Sequence, residues 1–457
     1  MEIVNNAAVL IKTKQPHLVT ERIKKSKVLR EQDGLYEVLV HWGLEEAQAL
    51  ASLGLKTSPS PITKDYQWTG KLTPFAHQKE TSAFLTLRKK AFCFNEQGTG
   101  KTASVIWAVD YLMKINKVKR VLVICPLSIM KSAWQQDLFK FAMHRSCSVA
   151  HGDAAARRKI LKANSEFVII NFDGVAVVKE EIIQGGFDMV VVDEASAYKN
   201  VKTNRWKVLN EIMAHVDWLW MLTGTPAAQS PLDAYGLAKL VNPKGVPNFM
   251  TAWRDKVMRK VTQFKWVPKE EAPKLVFDAL QPAIRFKKSE CLDLPPVITE
   301  TREVPLTPQQ KKFYNQLKER MLVSAAGETI TAVNAAAGVN KLLQISGGAV
   351  YTDQQDVVEF DISPRLNELK DTIDETSNKV VVFVPFLHTI DVVAEFLRGH
   401  GFTSEVIKGD VSPKNRADII NRFQSQELPR VLVVQPQSAS HGVTLTAADT
   451  IVFWSPV

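Results

Sequence analysis

Residues 92–102, FCFNEQGTGKT, pass from a short apolar run into a glycine-punctuated loop ending in Lys-Thr. The run AFCF just before the loop reads as a strand, and ASVIWAVDYLM after it has helical periodicity. Strand, glycine-rich loop and helix, in that order, are the setting of a phosphate cradle. Its glycines let backbone N–H groups turn onto phosphate oxygens, and the helix N-terminus adds partial positive charge. Gln97, Gly98, Thr99, Gly100, Lys101 and Thr102 are the expected ATP contacts, with Lys101 reaching the β/γ-phosphates and Thr102 ligating Mg2+. Asn95 stands where the usual pattern has glycine, so a ligand-free turn competes for this stretch taken alone.

A second stretch decides between the two. FDMVVVDEAS, residues 187–196, is an apolar strand ending in Asp193-Glu194. At the carboxyl edge of a sheet beside the loop, Asp193 can hold Mg2+, and Glu194 can orient or deprotonate an attacking water. Alone, the two carboxylates would be an ordinary solvated strand end. Following the loop in this order, they make ATP and Mg2+ the expected cofactors and Lys101, Asp193 and Glu194 the expected catalytic set.

Around these motifs, β-branched runs alternate with helical patterns: AFCF, VLVICP, FVIINF, MVVVDE and LWMLTGTP, then KVVVFVPF, SEVIKGD, RVLVVQPQS and DTIVFWSP after residue 375. That alternation reads as βαβ units, hence an α/β fold with two parallel-sheet domains. The expected boundaries are 1–68 for a small accessory element ending in a Pro-rich linker, 69–243 for the first domain, 244–360 for helical insertions, and 361–457 for the second domain.

At 457 residues, two or more cores are expected. The balance of 58 Lys+Arg against 48 Asp+Glu, net +10, suits a polyanionic partner. The four cysteines form no CxxC pair, which argues against structural zinc and for a reducing compartment, cytoplasmic or, in a eukaryote, nuclear. No apolar stretch reaches membrane-spanning length. The basic runs at 157–159 and 286–288 read as solvated faces ahead of a DNA path.

From residue 72 onward the chain resembles the superfamily-two motors, and more narrowly the Swi/Snf family of double-stranded DNA translocases. LTPFAHQ resembles the adenine-reading element, and VLVICPLSIMKSAWQQDLFKF resembles the next motif, in which Trp134 opens a helix. VIINFD, DEASAYKN and LTGTPAAQSPLDAYGLAKLVNP follow in family order, although Ser196 replaces the more usual His. LQPAIRFKKSECLDLPP resembles the interlobe linker, and LTPQQKKFY, NKLLQISGG, SPRLNEL, KVVVFVPF, IKGDVSPKNRADIINRF and VVQPQSASHGVTLTAAD complete the series. Family members commonly carry an acidic residue at the position of Asn95, a near-isostere of it.

The resemblance implies two RecA-like lobes that close on ATP, and a monomeric motor on duplex DNA in repair, recombination or restriction, with a phage or mobile element among its possible sources. It assigns Gln78 to the base edge, Gly442 to the ATP site, and Thr223, Gly224 and Thr225 to coupling. It makes Ser128 and Asn171 the DNA contacts of the first lobe. In the second lobe, one or two of Ser438, Ser440, Thr444 and Thr446 fill that role, with Ser438 and Thr446 preferred. Such contacts bind the backbone without reading sequence. Family members continue past a WNP-like segment into a helix whose arginines reach the γ-phosphate, whereas VFWSPV ends this chain. The 457 residues are therefore expected to bind ATP and DNA while hydrolysing slowly. A strand-separating or fork-reversal helicase and an ATP-switched DNA-binding scaffold are the rival functions.

Overall fold

Runs such as MVVVD and WLWML are buried at every position, and parallel strands with helices on both faces are the arrangement that covers them. The computed structural model describes the chain except for residues 55–58, 228, 263–264, 294–295, 328–331, 352–356, 440–444 and 456–457. Two compact units emerge, Met1–Pro295 and Pro296–Val457.

The first unit begins with an antiparallel sheet of β1 (Glu2–Val4), β2 (Ala8–Thr13), β3 (Ser26–Gln32) and β4 (Leu35–His41), in the order β1-β2-β4-β3. The helix Leu44–Ser52 supplies Leu50 to a small core with Val9, Ile11, Val38, Val40 and Trp42. The Pro-rich stretch that follows is no loose linker where it is described. Ile62 is fully buried, the Ser60 and Thr86 hydroxyls lie 2.7 Å apart, and the Tyr66 hydroxyl donates to Asp110 Oδ2 at 2.6 Å.

The main sheet of this unit contains β5 (Lys90–Cys93), β6 (Val121–Cys125), β7 (Cys147–Ala150), β8 (Phe167–Asn171), β9 (Met189–Asp193) and β10 (Trp218–Leu222). After the hairpin β11 (Met258–Lys260) and β12 (Trp266–Pro268), the two-residue β13 (Ala283–Ile284) joins it as an edge strand. The order is β13-β5-β10-β9-β6-β8-β7, and each paired neighbour is parallel. Large cores cover both faces, one built around Trp107, Trp134 and Trp220, the other around Phe92, Tyr198 and Trp253.

The region 244–360 differs from the expected helical insertion, because it carries strands and is divided between the units. Its helices Met250–Val257 and Ala272–Ala279 and the strands β11–β13 lie in the first unit. The helices Pro308–Gly327 and Ala332–Gly347 lie in the second, with the hairpin β14 (Ala349–Tyr351) and β15 (Val357–Glu359). These strands are two or three residues long, too short for an alternating pattern to register.

The second unit's sheet contains β16 (Lys379–Phe383), β17 (Ser404–Ile407), β18 (Val431–Val434) and β19 (Ala448–Phe453), in the order β17-β18-β16-β19, all parallel. These are the four strands read from the sequence, and each unit is built on a parallel sheet of the α/β kind. No helix among the described residues is long and apolar enough to cross a membrane.

Candidate functional site

The site is laid out by strand register. On β10, Leu222 lies level with Cys93 of β5 on one side and with Asp193 of β9 on the other. Three strands therefore end side by side, and the segments leaving them, Phe94–Thr102, Glu194 onward and Thr223–Thr225, meet at one carboxyl edge. In parallel α/β sheets this edge is where ligands bind.

From β5 the chain turns through Gly98 (φ +83°) and Gly100 (φ +77°) into the helix Lys101–Lys114. Both glycines occupy the left-handed region. A Cβ on Gly100 would lie 2.1 Å from Gln78 Nε2, so any side chain there would displace Gln78. The N–H groups of Lys101, Thr102 and Ala103 open the helix and have no intrahelical acceptor. Lys101 Nζ is folded onto the loop, donating to the carbonyls of Asn95 (2.9 Å) and Glu96 (3.2 Å). An anion in the cradle would be met by an ammonium already inside it.

Asn95, the departure from glycine, is fully buried and uses both ends of its carboxamide. Nδ2 donates to Thr81 Oγ1 at 2.8 Å, and Oδ1 accepts the backbone N–H of Phe286 at 3.0 Å. Phe286 belongs to the strap that follows β13. Phe94 N donates to Ile284 O (2.8 Å), Glu96 N to Phe286 O (3.0 Å), and Lys288 N to Glu96 Oε2 (2.9 Å). The run 286–288 is thus tied to the loop through its backbone, while the Lys287 and Lys288 side chains are exposed, as a solvated face requires.

Gln78 braces the loop from the other side. Its Nε2 donates to Thr99 O (3.2 Å) and its Oε1 accepts Phe75 N (3.0 Å), while His77 Nε2 lies 2.8 Å from Thr99 O. His77 was not among the expected site residues.

Asp193 is buried, with Oδ2 accepting Trp134 Nε1 at 2.9 Å and Oδ1 accepting Glu194 N at 3.0 Å. Burial lifts its carboxyl above the usual carboxylate range, against the opposing pull of Trp134, Lys101 and the Glu194 N–H. Trp134 is fully buried and lies in a π-helical turn, Met130–Gln135, ahead of the helix Gln136–Phe141. Such turns are frequent at functional sites. Glu194 has φ +52°, a left-handed conformation that costs a non-glycine residue about 1–2 kcal/mol. Its strain is held where the acidic pair meets the loop.

Thr223 is buried; its Oγ1 accepts Thr225 N at 3.2 Å, and its N–H donates to Cys93 O at 3.1 Å. A Cβ on Gly224 would lie 3.7 Å from Gln97 N, which sets this turn directly against the loop. Burial raises the Cys93 thiol to about 11, so it sits beneath the site as an inert apolar group.

Ser128 is exposed just after β6. Asn171, at the end of β8, is buried with its Oδ1 taken by Arg157 Nη1 at 2.9 Å. Arg157 also donates to the carbonyls of Ala150 and Gly152, both at 2.9 Å, so the first member of the 157–159 run is an internal tie and not a solvated charge. In the second unit, Ser438 Oγ lies 3.3 Å from Gln435 Oε1, and Thr446 is exposed ahead of β19. Ser440, Gly442 and Thr444 lie outside the described residues.

Among the described residues no group of three or more His, Cys, Asp or Glu could hold a metal ion by itself. The donors present, the Thr102 hydroxyl and the Asp193 carboxylate, are hard oxygens of the kind Mg2+ takes when phosphates and water complete its shell. The glycine cradle, the helix N-terminus and these oxygens fit a metal-bound nucleotide.

The SNF2-related domain family matches residues 77–349, and the helicase conserved C-terminal domain matches residues 364–457. An uncharacterized ATP-dependent helicase of Mycoplasma genitalium is 26% identical over 365 residues, 78% of this chain and 34% of the relative. The putative protein p41 of Acyrthosiphon pisum secondary endosymbiont phage 1 is 24% identical over 405 residues, 84% of this chain and 85% of the relative. Among solved structures, the Sulfolobus solfataricus SWI2/SNF2 ATPase core in complex with dsDNA aligns with TM-score 0.47 and 22% identity, covering 85% of this chain and 83% of that one. The chain spans about a third of the length of the Mycoplasma relative. With more than half of its residues matched by one family description, the chain belongs to the SNF2-related domain family.

Proposed function

We propose that this protein hydrolyses ATP to move along double-stranded DNA. The observation that carries the reading is the level ending of β5, β10 and β9, which gathers the phosphate loop, the Asp193-Glu194 pair and the Thr223–Thr225 turn at one edge. Bound Mg2+ would neutralise charge building on the transferred phosphoryl group. Thr102 and Asp193 would hold that ion, Lys101 would exchange its loop carbonyls for phosphate oxygens, and Glu194 would orient the attacking water. Thr223 donates its backbone N–H to the phosphate-loop strand and receives that of Thr225, so this turn would carry the state of the acidic pair outward.

Duplex DNA is the proposed track, supported by family membership and the net charge of +10. Exposed Ser128 and Thr446, with Ser438, are proposed backbone contacts. Asn171 is proposed in that role only through its Nδ2, since its Oδ1 is held by Arg157. The proposed motor is monomeric and acts in repair, recombination or restriction; the likeness to a phage protein supports only the setting, the cytoplasm of a bacterium or a phage-infected cell.

The test is displacement of a triplex-forming strand from duplex DNA. ATP-dependent displacement by the wild type, lost in Lys101→Ala, is expected. ATP-dependent DNA affinity without displacement would replace the motor by a switch, and strand separation with no preference for duplex as cofactor would replace it by a helicase.

A further inference from the structure

The strap after β13 does more than wall the phosphate loop. At Lys288 the chain enters the short helix Lys288–Cys291, and the Lys288 N–H is fixed on Glu96 Oε2 at 2.9 Å. The side chain then turns back over the loop. A Cβ on Gly98 would lie 3.0 Å from Lys288 Cε and 3.5 Å from Nζ. Among the described residues no carboxylate is within salt-bridge reach of that ammonium, whereas its neighbour Lys287 pairs with Glu290 at 3.6 Å. Gly98 lies between Asn95 and Lys101, in the stretch whose N–H groups face the phosphates of a bound nucleotide. A cation there stands against the same short loop onto which Lys101 Nζ is folded through the carbonyls of Asn95 and Glu96.

We propose that Lys288 is a second phosphate-contacting cation of the nucleotide site, reading the β/γ-phosphates of a nucleoside triphosphate across Gly98. The proposal rests on the ATP reading above. Its basis is the geometry of the strap: Phe286 and Lys288 bond Asn95 and Glu96 through backbone N–H groups, so the lysine's origin is fixed while its long side chain is free to follow phosphate.

The experiment compares equilibrium affinities of the full chain for Mg·ATP and AMP in the wild type and in Lys288→Met, Lys288→Arg and Lys101→Ala. Both Lys288 substitutions leave the Lys288 N–H bond to Glu96 intact. Lys288→Met is expected to lose about fivefold in ATP affinity, the scale of a partly exposed charge pair, with AMP affinity unchanged and Lys288→Arg near the wild type. Unchanged ATP affinity in Lys288→Met would overturn the proposal. If Lys288→Met proves unstable in thermal unfolding, the salt dependence of ATP affinity in Lys288→Arg and Lys288→Gln decides: equal slopes overturn the proposal, and a shallower slope in Lys288→Gln supports it. Absence of ATP binding by the wild type would instead remove the ATP reading, and binding lost only in Lys101→Ala would leave that reading standing without the Lys288 contact.

Discussion

The carboxamide oxygen of Asn95 accepts the backbone N–H of Phe286 at 3.0 Å, a bond spanning 191 positions of sequence. It joins the start of the phosphate loop to the strap after β13, and its other end is satisfied by Thr81. Glycine, the usual residue here, could make neither bond. Asn95→Ala should orphan the Phe286 N–H inside the protein and destabilise the first unit by about 2 kcal/mol. Asn95→Asp keeps the acceptor for the Phe286 N–H and gives up only the donor to Thr81, whose own hydrogen already goes to His77 O at 2.7 Å, so it should lose less. Chemical denaturation ranks the three proteins, and an Asn95→Ala variant as stable as the wild type contradicts the account.

Trp134 is expected to hold the acidic pair in its working form. Its indole N–H is a donor to the buried Asp193 carboxylate, which burial already pushes toward protonation. Trp134→Phe keeps the ring and deletes the donor. The Asp193 carboxyl should then rise further, and Mg·ATP should bind about tenfold more weakly at neutral pH, the scale of one hydrogen bond to a charged group. The metal needs the ionised form, so part of the loss should be recovered as pH increases. A pH series of nucleotide affinity identical for the two proteins would remove this role.

Acid should loosen the far end of the helix Lys101–Lys114. Asp110 is almost fully buried, and burial opposes its ionisation. Hydrogen bonds from Tyr66, Arg145 and His144, with the Arg145 charge, outweigh burial and set its carboxyl below the usual aspartate range. A carboxyl depressed on folding stabilises the fold above the unfolded-state value, near 4, and that contribution fades as pH falls through the folded value. Asp110→Asn should therefore destabilise the first unit by about 3 kcal/mol at neutral pH and flatten its stability profile below about pH 4. Parallel acid-unfolding curves for the two proteins would count against this.

That the glycine loop, the acidic pair and the Thr223–Thr225 turn each follow the end of a strand was legible in the sequence because that signal is local. A few consecutive residues at the end of an apolar run carry the whole signal, and the parallel strands around them announce themselves by being apolar throughout. What could not be read depends on contacts far apart in sequence. The Trp134–Asp193 bond spans 59 positions, and β13 has only two residues. Arg157 resembled its solvated neighbours, since nothing in RRK shows that one guanidinium will find two carbonyls and the Asn171 side chain. Asn95 was anomalous by pattern alone, and the strap explains it.

The most direct test of the central claim is phosphate release from ATP by this chain with and without duplex DNA, alongside Lys101→Ala and Glu194→Gln. The account expects duplex to raise the wild-type rate several-fold over its DNA-free value. It expects no stimulation in Lys101→Ala, and in Glu194→Gln retained Mg·ATP binding with turnover reduced by about 10²-fold or more, the scale of a lost general base. A wild-type rate indifferent to duplex, or a Glu194→Gln rate equal to the wild type, would contradict it.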